Sequence, residues 1–507
     1  MMLPSPVNTR GAQAQREAGP HLRRDISLLG LVATAVAAMV GVGINVLPFM
    51  VQRSQPGIGN WVPLAYVVAA VPAVLAAVCY AALVSAMPRA GGSYVTVSRA
   101  LNPFAGFIAS FSQWFGLSMA MGVVAYLLVP VIRDLLSVAG FTGMAGALDH
   151  TWPRLAVSLL AIWLAWLLNL LGIRLYELGI VFMAGVTIVA PIIMIVAGIL
   201  NSPQIILTKL HSVAAPFAPY VAMPRLSTVT FLGTAVVLFS SFIGFDAVAQ
   251  AAGEARHSGD LARAIMIAIG AVTGYYVCFT WSVYHSIPAD YIYRASLVHD
   301  ISAPGLMAPL LPTWLSITAL ASVAVAILKV LPAVMLANSR TLYAFSTDGI
   351  LPNAFSHLNA RFGTPPYALT VTALAASLCV FGCNLAKDFF LGVDLLVVSM
   401  LVNFLLMAGA LLMFPRANAE LYARITFLKS RRSQVLTACG ALLLLGSLLI
   451  VEVAGDIFSA APWYLKSTTT WVLVMITASA LFWRFWSKLS ARGLDPRAQI
   501  FGSLPPE

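Results

Sequence analysis

Two short runs of residues interrupt long apolar stretches and are the groups in this chain best suited to bind a small ligand. The first, residues 40–45, carries glycines at 41 and 43, and the second covers residues 240–246. A break in a membrane-spanning helix exposes amides at the start of one half and carbonyls at the end of the other. Opposed breaks predict a site for a zwitterion such as an α-amino acid, and paired breaks are typical of a secondary transporter.

Lys329 is the other chemical group that stands out, because it lies within an apolar stretch eleven residues before Arg340. That spacing puts it about 16 Å along a helix from the end of the span, too deep for its ammonium to reach water easily. An ionisable residue at this depth is a functional hypothesis by default. Lys329 is a proton carrier, a countercharge for an acidic substrate, or a structural partner of a carboxylate such as Asp246, and the sequence leaves these three open.

The composition requires a membrane setting for these groups. Of 507 residues, 60% are hydrophobic and 9% are charged, and the mean hydropathy is +0.90. Long continuous apolar runs favour helices over a membrane β-barrel. The net charge of +11 is explained by basic loops between spans, so no nucleic acid partner is expected.

Five cysteines without a C-x-x-C pair predict no thiolate metal site, and no cofactor is expected. The chain contains no G-x-x-x-x-G-K-[ST] motif, so ATP is not expected to drive it.

At about 20 residues per span, the chain divides into about twelve segments. Residues 1–25 form a polar tail, 202–227 an external loop, 415–434 a linker and 488–507 a second tail. Lysine and arginine cluster on the loops that share a side with both tails. The positive-inside rule therefore predicts cytosolic termini in a multi-pass protein of the inner or plasma membrane.

Four motifs resemble those of amino acid permeases in the amino acid–polyamine–organocation superfamily. The run GVGINVLP at 41–48 is similar to G-x-G-I-F-x-L-P, and MPRAGGSY at 87–94 resembles the P-R-x-G-G-x-Y loop. FIGFDA at 242–247 matches the sixth-helix motif. NSRTLY at 338–343, followed by DGILP at 348–352, resembles S-R-x-L-Y and D-G-L-L-P. The motifs occur in the family's order and cover roughly residues 26–415.

The resemblance implies an all-α, leucine-transporter-like fold with broken helices 1 and 6. Residues 26–201 and 228–414 would be inverted repeats of five spans each, and 435–487 would add two helices. It also implies a binding site in which the amides of Val42 and Gly43, beside Gly41, meet the substrate carboxylate. The carbonyls expected to meet the α-ammonium are those of Val40, Ser240, Ser241 and Ile243. Phe245 stands where an aromatic lid would lie, or it packs in the core.

The chain departs from the family pattern at several of these positions. Asn45 replaces a common phenylalanine and is expected either to bond the substrate or to satisfy the backbone freed by the break. Ser240 and Ser241 are expected to bond back to their own helix. Some relatives carry a lysine in the fifth helix in place of a coupling sodium, whereas here Thr187 or Ile188 lies near that position. Sodium coupling, a displaced proton site at Lys329 and uncoupled exchange all stay open.

Further residues are assigned to gating and selectivity. Arg89, Tyr94 and Arg340 border the cytosolic side and are expected to close an inner gate. Glu254 follows span six, where it forms a gate ion pair or a solvated charge. The candidates for side-chain selectivity are Gln113, Ser118 and Ser399.

The prediction is a secondary transporter of amino acids that works by alternating access, as a proton-coupled symporter or an exchanger. A polyamine or organic-cation carrier of the same fold is the first alternative, although the spans hold few carboxylates besides Asp246. A permease-like sensor that binds without transporting is the second, and it would be expected to carry a signalling domain. A membrane enzyme is not expected, because no nucleophile–base pair or metal-ligand set lies in the spans.

Overall fold

The computed structural model describes residues 27–89, 91–171, 186–187, 189–201, 222–250, 255–257, 259–359 and 363–491. Within these ranges the chain is helical and contains no β-strand. Ten described helices are long and apolar enough to cross a bilayer, and two shorter apolar helices, Leu28–Met39 and Val189–Leu200, accompany them. These helices fall on the twelve predicted segments, so the all-α, multi-pass prediction is confirmed.

The first half of the chain carries helices α1 to α9. Their bounds are α1 Leu28–Met39, α2 Val42–Asn45, α3 Leu47–Ser54, α4 Val62–Ala86, α5 Gly92–Ala100, α6 Pro103–Val138, α7 Thr142–Ala147, α8 Thr151–Leu170 and α9 Val189–Leu200. The first spanning helix is therefore interrupted between α1 and α2. Ser27 begins it as an N-cap, its hydroxyl accepting from the Gly30 amide at 3.3 Å.

The second half carries helices α10 to α20. Their bounds are α10 Thr228–Phe239, α11 Ala247–Gln250, α12 Gly259–Ser286, α13 Ala289–Val298, α14 Ala303–Met307, α15 Thr313–Thr347, α16 Pro366–Ala386, α17 Phe390–Ala417, α18 Ala419–Tyr422, α19 Arg431–Phe458 and α20 Ser467–Ala491. A 3₁₀ turn, Ser240–Phe242, and an irregular stretch separate α10 from α11. The sixth span is thus broken as the sequence predicts.

The long helices pack as two groups around the breaks. In the first group α12 packs against α1 and α4, and α10 packs against α4. In the second group α6 packs against α8, α15 and α16. Helix α17 contacts both α4 and α6, so it lies between the groups.

Long-range contacts define the two faces of the helical bundle. Arg53 at the end of α3 pairs with Asp300 and Asp388, and Arg154 at the start of α8 also pairs with Asp300. We call the face that carries these residues the ion-pair face. Because helix one runs toward it, Leu28 lies on the opposite face, which we call the tail face.

Both described ends of the chain lie on the tail face. A Cβ on Gly349, which follows α15, would lie 3.1 Å from the side chain of Leu489 near the end of α20. Gly57, close to the ion-pair face, lies against the carbonyl of Arg225 just before α10, where a Cβ would come within 2.8 Å of it. Helix six therefore starts at the ion-pair face and runs antiparallel to helix one.

Candidate functional site

The break in helix one is formed by extended backbone at Val40, which has φ −83° and ψ 103°. The side-chain amide of Asn45 donates to the Gly41 carbonyl at 2.8 Å, which satisfies one backbone group freed by the break. The Oδ1 atom of Asn45 is buried and accepts no hydrogen bond from the described residues. Of the two roles predicted for Asn45, the structure displays the hydrogen bond to the backbone of the break. The Oδ1 atom is the acceptor that this role does not use.

The break in helix six follows the 3₁₀ turn. Ile243 is extended, with ψ 128°, and Gly244 has φ +132°, a value that side-chain-bearing residues rarely adopt. A Cβ on Gly244 would lie 2.9 Å from the backbone of Ala38 in α1. Ser240 bonds back to its own helix, its hydroxyl donating to the Val237 carbonyl at 2.6 Å, as predicted. The hydroxyl of Ser241 instead shares a hydrogen bond of 3.2 Å with that of Tyr66 in α4.

The two breaks lie against each other. A Cβ on Gly43 would stand 2.9 Å from Ser241 Oγ and 3.2 Å from Ser241 Cα. A Cβ on Gly41 would stand 3.2 Å from Val330 Cγ2 of α15. Glycine is needed at 43 because the backbone of helix six approaches that closely. The structure therefore brings residues 40–45 and 240–244 together at one place, as the sequence predicts.

Two of the four predicted carbonyls already accept a hydrogen bond from the protein itself. The Ser241 carbonyl accepts from the Tyr276 hydroxyl at 2.9 Å, and the Ser240 carbonyl accepts from the Ile243 amide at 3.2 Å. Among the described residues, the carbonyls of Val40 and Ile243 accept no hydrogen bond and the amide of Gly43 donates none. The carbonyls of Ser240 and Ser241 each have one acceptor position left for an ammonium group, and the four-carbonyl set stays a prediction.

Phe245 packs in the core and not over the breaks. It is fully buried and stacks on Phe404 of α17 with ring centroids 5.1 Å apart. Tyr80 of α4 meets it edge-on at 5.9 Å. Of the two predicted roles, core packing is what the structure displays. The aromatic ring beside the breaks is Phe242, which contacts Tyr276 at 5.4 Å.

Asp246, on the tail side of the break in helix six, is buried in a polar network. Its Oδ1 accepts from the Gly244 amide at 3.1 Å and its Oδ2 accepts from the Gln113 side chain of α6. The Oε1 of Gln113 accepts from Ser93 at 2.7 Å, and Ser93 Oγ accepts from Asn403 at 3.2 Å. Every donor in this chain of bonds points toward the carboxylate. The network joins the first helix group, through Asp246, to the second, through Gln113.

Lys329 lies in α15 and is buried, with 6% of its surface exposed. Its ammonium donates to Thr187 Oγ1 at 3.1 Å. The described residues contain no ion pair between Lys329 and Asp246; the carboxylate of Asp246 accepts from the amides of Gly244 and Gln113 instead. Thr187 and Ile188 are the two fifth-helix residues expected near the place where some relatives carry a lysine. The ammonium of Lys329 therefore reaches this part of the fifth helix from α15.

Tyr94 lies on the tail face near the end of α15. Its hydroxyl donates to Asp348 Oδ2 at 2.5 Å, its ring meets Phe345 edge-on at 4.9 Å, and Arg99 lies 5.8 Å from the ring centroid. Burial raises the pKa of Tyr94 well above its ordinary value and also raises the pKa of Asp348. The predicted gate residues Arg89 and Arg340 are both engaged in interactions. Glu254 lies outside the described residues.

The ion-pair face holds a cluster that sequence reasoning missed. Arg53 pairs with Asp300 and with Asp388, each at 3.1 Å, while Arg133 pairs with Asp134 at 2.7 Å. Burial alone would raise the pKa of Asp300, but Arg154 and Arg53 hold it below its ordinary value. Apart from the adjacent Arg133 and Asp134, these residues lie far apart along the chain, so local spacing could not have revealed the cluster.

Two of the three selectivity candidates do not line the breaks. Ser118 donates to the Trp114 carbonyl at 2.8 Å and accepts from Asn338 at 3.1 Å. Ser399 donates to the Leu395 carbonyl at 2.6 Å, and a Cβ on Gly116 would come within 2.6 Å of it. Both serines make contacts within and between helices, and their part in selectivity stays a prediction. Gln113 remains, as the partner of Asp246.

Two antiparallel broken helices that meet in the middle of a helical bundle define the class of membrane transporters built around discontinuous helices. A family profile described as "Amino acid permease" matches residues 26–485. The chain belongs to the amino acid permease family, which is a family of transporters and not of enzymes, and the predicted family is confirmed.

Several characterised relatives are similar to this chain. "Cationic amino acid transporter 2, vacuolar" of Arabidopsis thaliana is 26% identical over 73% of this chain and 57% of its own length. "Branched-chain amino acid permease BcaP" of Bacillus subtilis (strain 168) is 25% identical over 70% of this chain and 75% of its length. "Low-affinity putrescine importer PlaP" of Escherichia coli (strain K12) is 23% identical over 83% of this chain and 87% of its own length. The match thus spans little more than half of the Arabidopsis transporter.

Proposed function

We propose that this protein is a secondary transporter that moves amino acids across a membrane by alternating access. The observation that carries the proposal is the opposed pair of breaks, where the amide of Gly43 and the carbonyls of Val40 and Ile243 make no hydrogen bond to the described residues. An α-carboxylate suits the amide end and an α-ammonium suits the carbonyl end, because helix ends carry partial charges of these signs. Val42, the first residue of α2, would contribute a second amide.

Polar contacts between the helix groups on both sides of the breaks support a gated cycle. On the tail side, Asp246 is held by Gln113. On the other side, Arg53 is held by Asp300 and Asp388. Each contact has to break before the binding site opens toward its own face. In this account the first helix group rocks against the second, and the structure corresponds to a state closed on both sides.

We further propose that Lys329 couples transport to protons. Its ammonium is buried and donates to Thr187 Oγ1. The next residue on α15, Val330, packs against the break at Gly41, where a Cβ would lie 3.2 Å from its Cγ2. Desolvation disfavours a buried ammonium without a counterion, which suits a group that takes up and releases a proton. The alternative role, a countercharge for an acidic substrate, has less support, because the relatives are named for cationic and branched-chain amino acids and for putrescine.

The orientation and the repeats are part of the proposal. The tail face carries Arg89, Arg99 and Arg340 as well as the basic start of α19, which supports cytosolic termini in an inner or plasma membrane. The antiparallel course of helices one and six supports the division into inverted repeats at residues 26–201 and 228–414, with residues 435–487 appended.

A polyamine carrier is the second candidate, favoured by two observations. The match to the putrescine importer covers most of both chains, and Asp246 is a buried carboxylate with no ion-pair partner among the described residues. A diamine has no carboxylate, however, so it would leave the amide end of the site unpaired. A sensor that binds amino acids without transporting them is the third reading.

Counterflow in proteoliposomes tests the proposal. Vesicles are loaded with a single unlabelled amino acid and then given the same amino acid in labelled form at low concentration. We expect transient accumulation of label that depends on the internal load. Putrescine-loaded vesicles run in parallel, and accumulation with putrescine alone would move the function to polyamines. Binding without accumulation of any of these compounds would support a sensor.

A further inference from the structure

Tyr276, in the middle of α12, connects the two broken helices. Its hydroxyl lies 2.7 Å from the carbonyl oxygen of Met39, the last residue of α1. The same hydroxyl lies 2.9 Å from the carbonyl oxygen of Ser241, in the 3₁₀ turn that ends the first half of helix six. One side chain from a third helix therefore stands between the carbonyl ends of both half-helices.

The electrostatics of this arrangement are unfavourable without a donor between the oxygens. Each carbonyl closes a half-helix, so each carries the partial negative charge of a helix C-terminus. Two such ends at close range attract a positive group, and in discontinuous transporter helices they coordinate cations. Here the positive group is the proton of a phenol, which two acceptors share, and the oxygen of Tyr276 fills the space between them.

The ring of Tyr276 is fixed by its neighbours. It is fully buried, with Tyr66 of α4 at 5.3 Å and Phe242 at 5.4 Å between ring centroids. Tyr66 in turn shares a hydrogen bond with the Ser241 hydroxyl. The hydroxyl of Tyr276 is thus delivered to a set position, and the carbonyl ends of α1 and the 3₁₀ turn are held at a set separation.

We propose that Tyr276 is a positioning residue for transport. Its hydroxyl holds the two breaks at the separation that substrate binding needs. It also takes the place that a bound cation would otherwise occupy between the carbonyls of Met39 and Ser241. The inference rests on the proposed function, because the separation of the two breaks sets the distance between the amide and carbonyl ends that the substrate contacts. It also makes a claim of its own, that binding at the breaks needs no sodium.

The neighbouring Tyr275 provides a matched control. Its hydroxyl is buried and makes no hydrogen bond to the described residues, so Tyr275→Phe removes the same atom from the same helix without removing a contact. Counterflow is measured with wild type, Tyr276→Phe and Tyr275→Phe as a function of substrate concentration. We expect the KM of Tyr276→Phe to rise at least about five-fold with a smaller change in maximal rate, because two buried carbonyls lose their donor. Tyr275→Phe should match wild type.

Replacing choline by sodium in all buffers supplies the second readout. We expect no effect on wild type, and we expect sodium to lower the raised KM of Tyr276→Phe, because the vacated space lies between two carbonyl ends. A sodium requirement in wild type would overturn the inference, as would equal KM values for the two variants. If Tyr276→Phe does not fold, the wild-type sodium experiment still decides. Absence of wild-type counterflow in both buffers would instead contradict the proposed function.

Discussion

Replacing Gly43 with alanine probes the contact between the two breaks with the addition of one carbon atom. The new Cβ would lie 2.9 Å from Ser241 Oγ and 3.2 Å from both Ser241 Cα and Cβ. Rotating the serine side chain relieves the contact with Oγ but not the one with Cα, so the two backbones have to separate by a few tenths of an ångström. Overpacking of this kind costs about 1–3 kcal/mol.

The cost should fall on substrate binding, because the separated backbones are those that carry the amide and carbonyl ends of the site. About 1–3 kcal/mol corresponds to a rise in KM for counterflow of about five- to 150-fold. Gly274→Ala in α12 is the control, since a Cβ there meets nothing within 4 Å and should stabilise the helix by up to about 1 kcal/mol. Thermal unfolding of both purified variants separates a binding defect from misfolding.

A double-mutant cycle sharpens the test. Ser241→Gly removes two of the three atoms that the new Cβ would meet, so combining it with Gly43→Ala should restore part of the lost affinity. A Gly43→Ala protein with the KM of wild type would refute the close approach of the two breaks. Strictly additive effects in the cycle would show that the two residues do not touch.

Three further outcomes follow from the geometry. Lys329→Met should abolish uptake driven by a pH gradient while counterflow in the same vesicles persists, because exchange needs no net proton movement; loss of both would contradict the coupling role. Gln113→Leu should deprive Asp246 of a donor and speed the reaction of a cysteine placed at Ala247 with a hydrophilic thiol reagent, whereas an unchanged rate would exclude a gate there. The lowered pKa of Asp300 means that its ion pairs stabilise the protein above the ordinary pKa of about 3.9 and that this stability is lost as the pH falls through the lowered value. Asp300→Asn should therefore lower the unfolding temperature at neutral pH and show a smaller further loss on acidification.

Features encoded within one segment could be predicted from the sequence. The spans follow from uninterrupted apolar runs, and the breaks follow from residues 40–45 and 240–246, where glycine weakens a helix that lipid would otherwise keep continuous. The back-bonding of Ser240 is likewise a local effect. The meeting of the two breaks is expected from their pairing in the two halves of the chain and from the family resemblance, and the glycine contacts supply its physical reason.

Features that depend on contacts between distant segments could not be predicted. Tyr276 is one of 15 tyrosines, and nothing in its own segment indicates that it faces two carbonyls more than 30 positions away. Arg53 pairs with Asp300 and Asp388, which lie 247 and 335 positions further along the chain. Lys329 was recognised as unusual, but its partner Thr187 was not, because a buried ammonium gives no sign in the sequence of which helix supplies its acceptor.

The contacts that close the two sides of the breaks differ in strength. On the ion-pair face, opening separates Arg53, whose side chain is 22% exposed, from Asp300 and Asp388, the latter 37% exposed. The pair with Asp388 is of the solvent-exposed kind that contributes about 0–1 kcal/mol. Asp300 is only 8% exposed, but Arg154 continues to neutralise it after Arg53 leaves. On the tail side, opening breaks the bond between Gln113 and the buried carboxylate of Asp246, and a hydrogen bond to a charged group contributes about 1.5–3 kcal/mol.

We therefore expect the substrate-free protein to open more often toward the ion-pair face than toward the tail face. Single cysteines at Asn45, on the ion-pair side of the break in helix one, and at Ala247, on the tail side of the break in helix six, report the two openings through their rates of labelling by a membrane-impermeant thiol reagent. In a background without native cysteines, labelling at position 45 should be faster than labelling at position 247. High salt should raise that rate further, because it screens the exposed pair of Arg53 with Asp388 but not the buried bond of Asp246. Faster labelling at 247, or a salt effect confined to 247, would mean that the buried hydrogen bond is the weaker of the two closures.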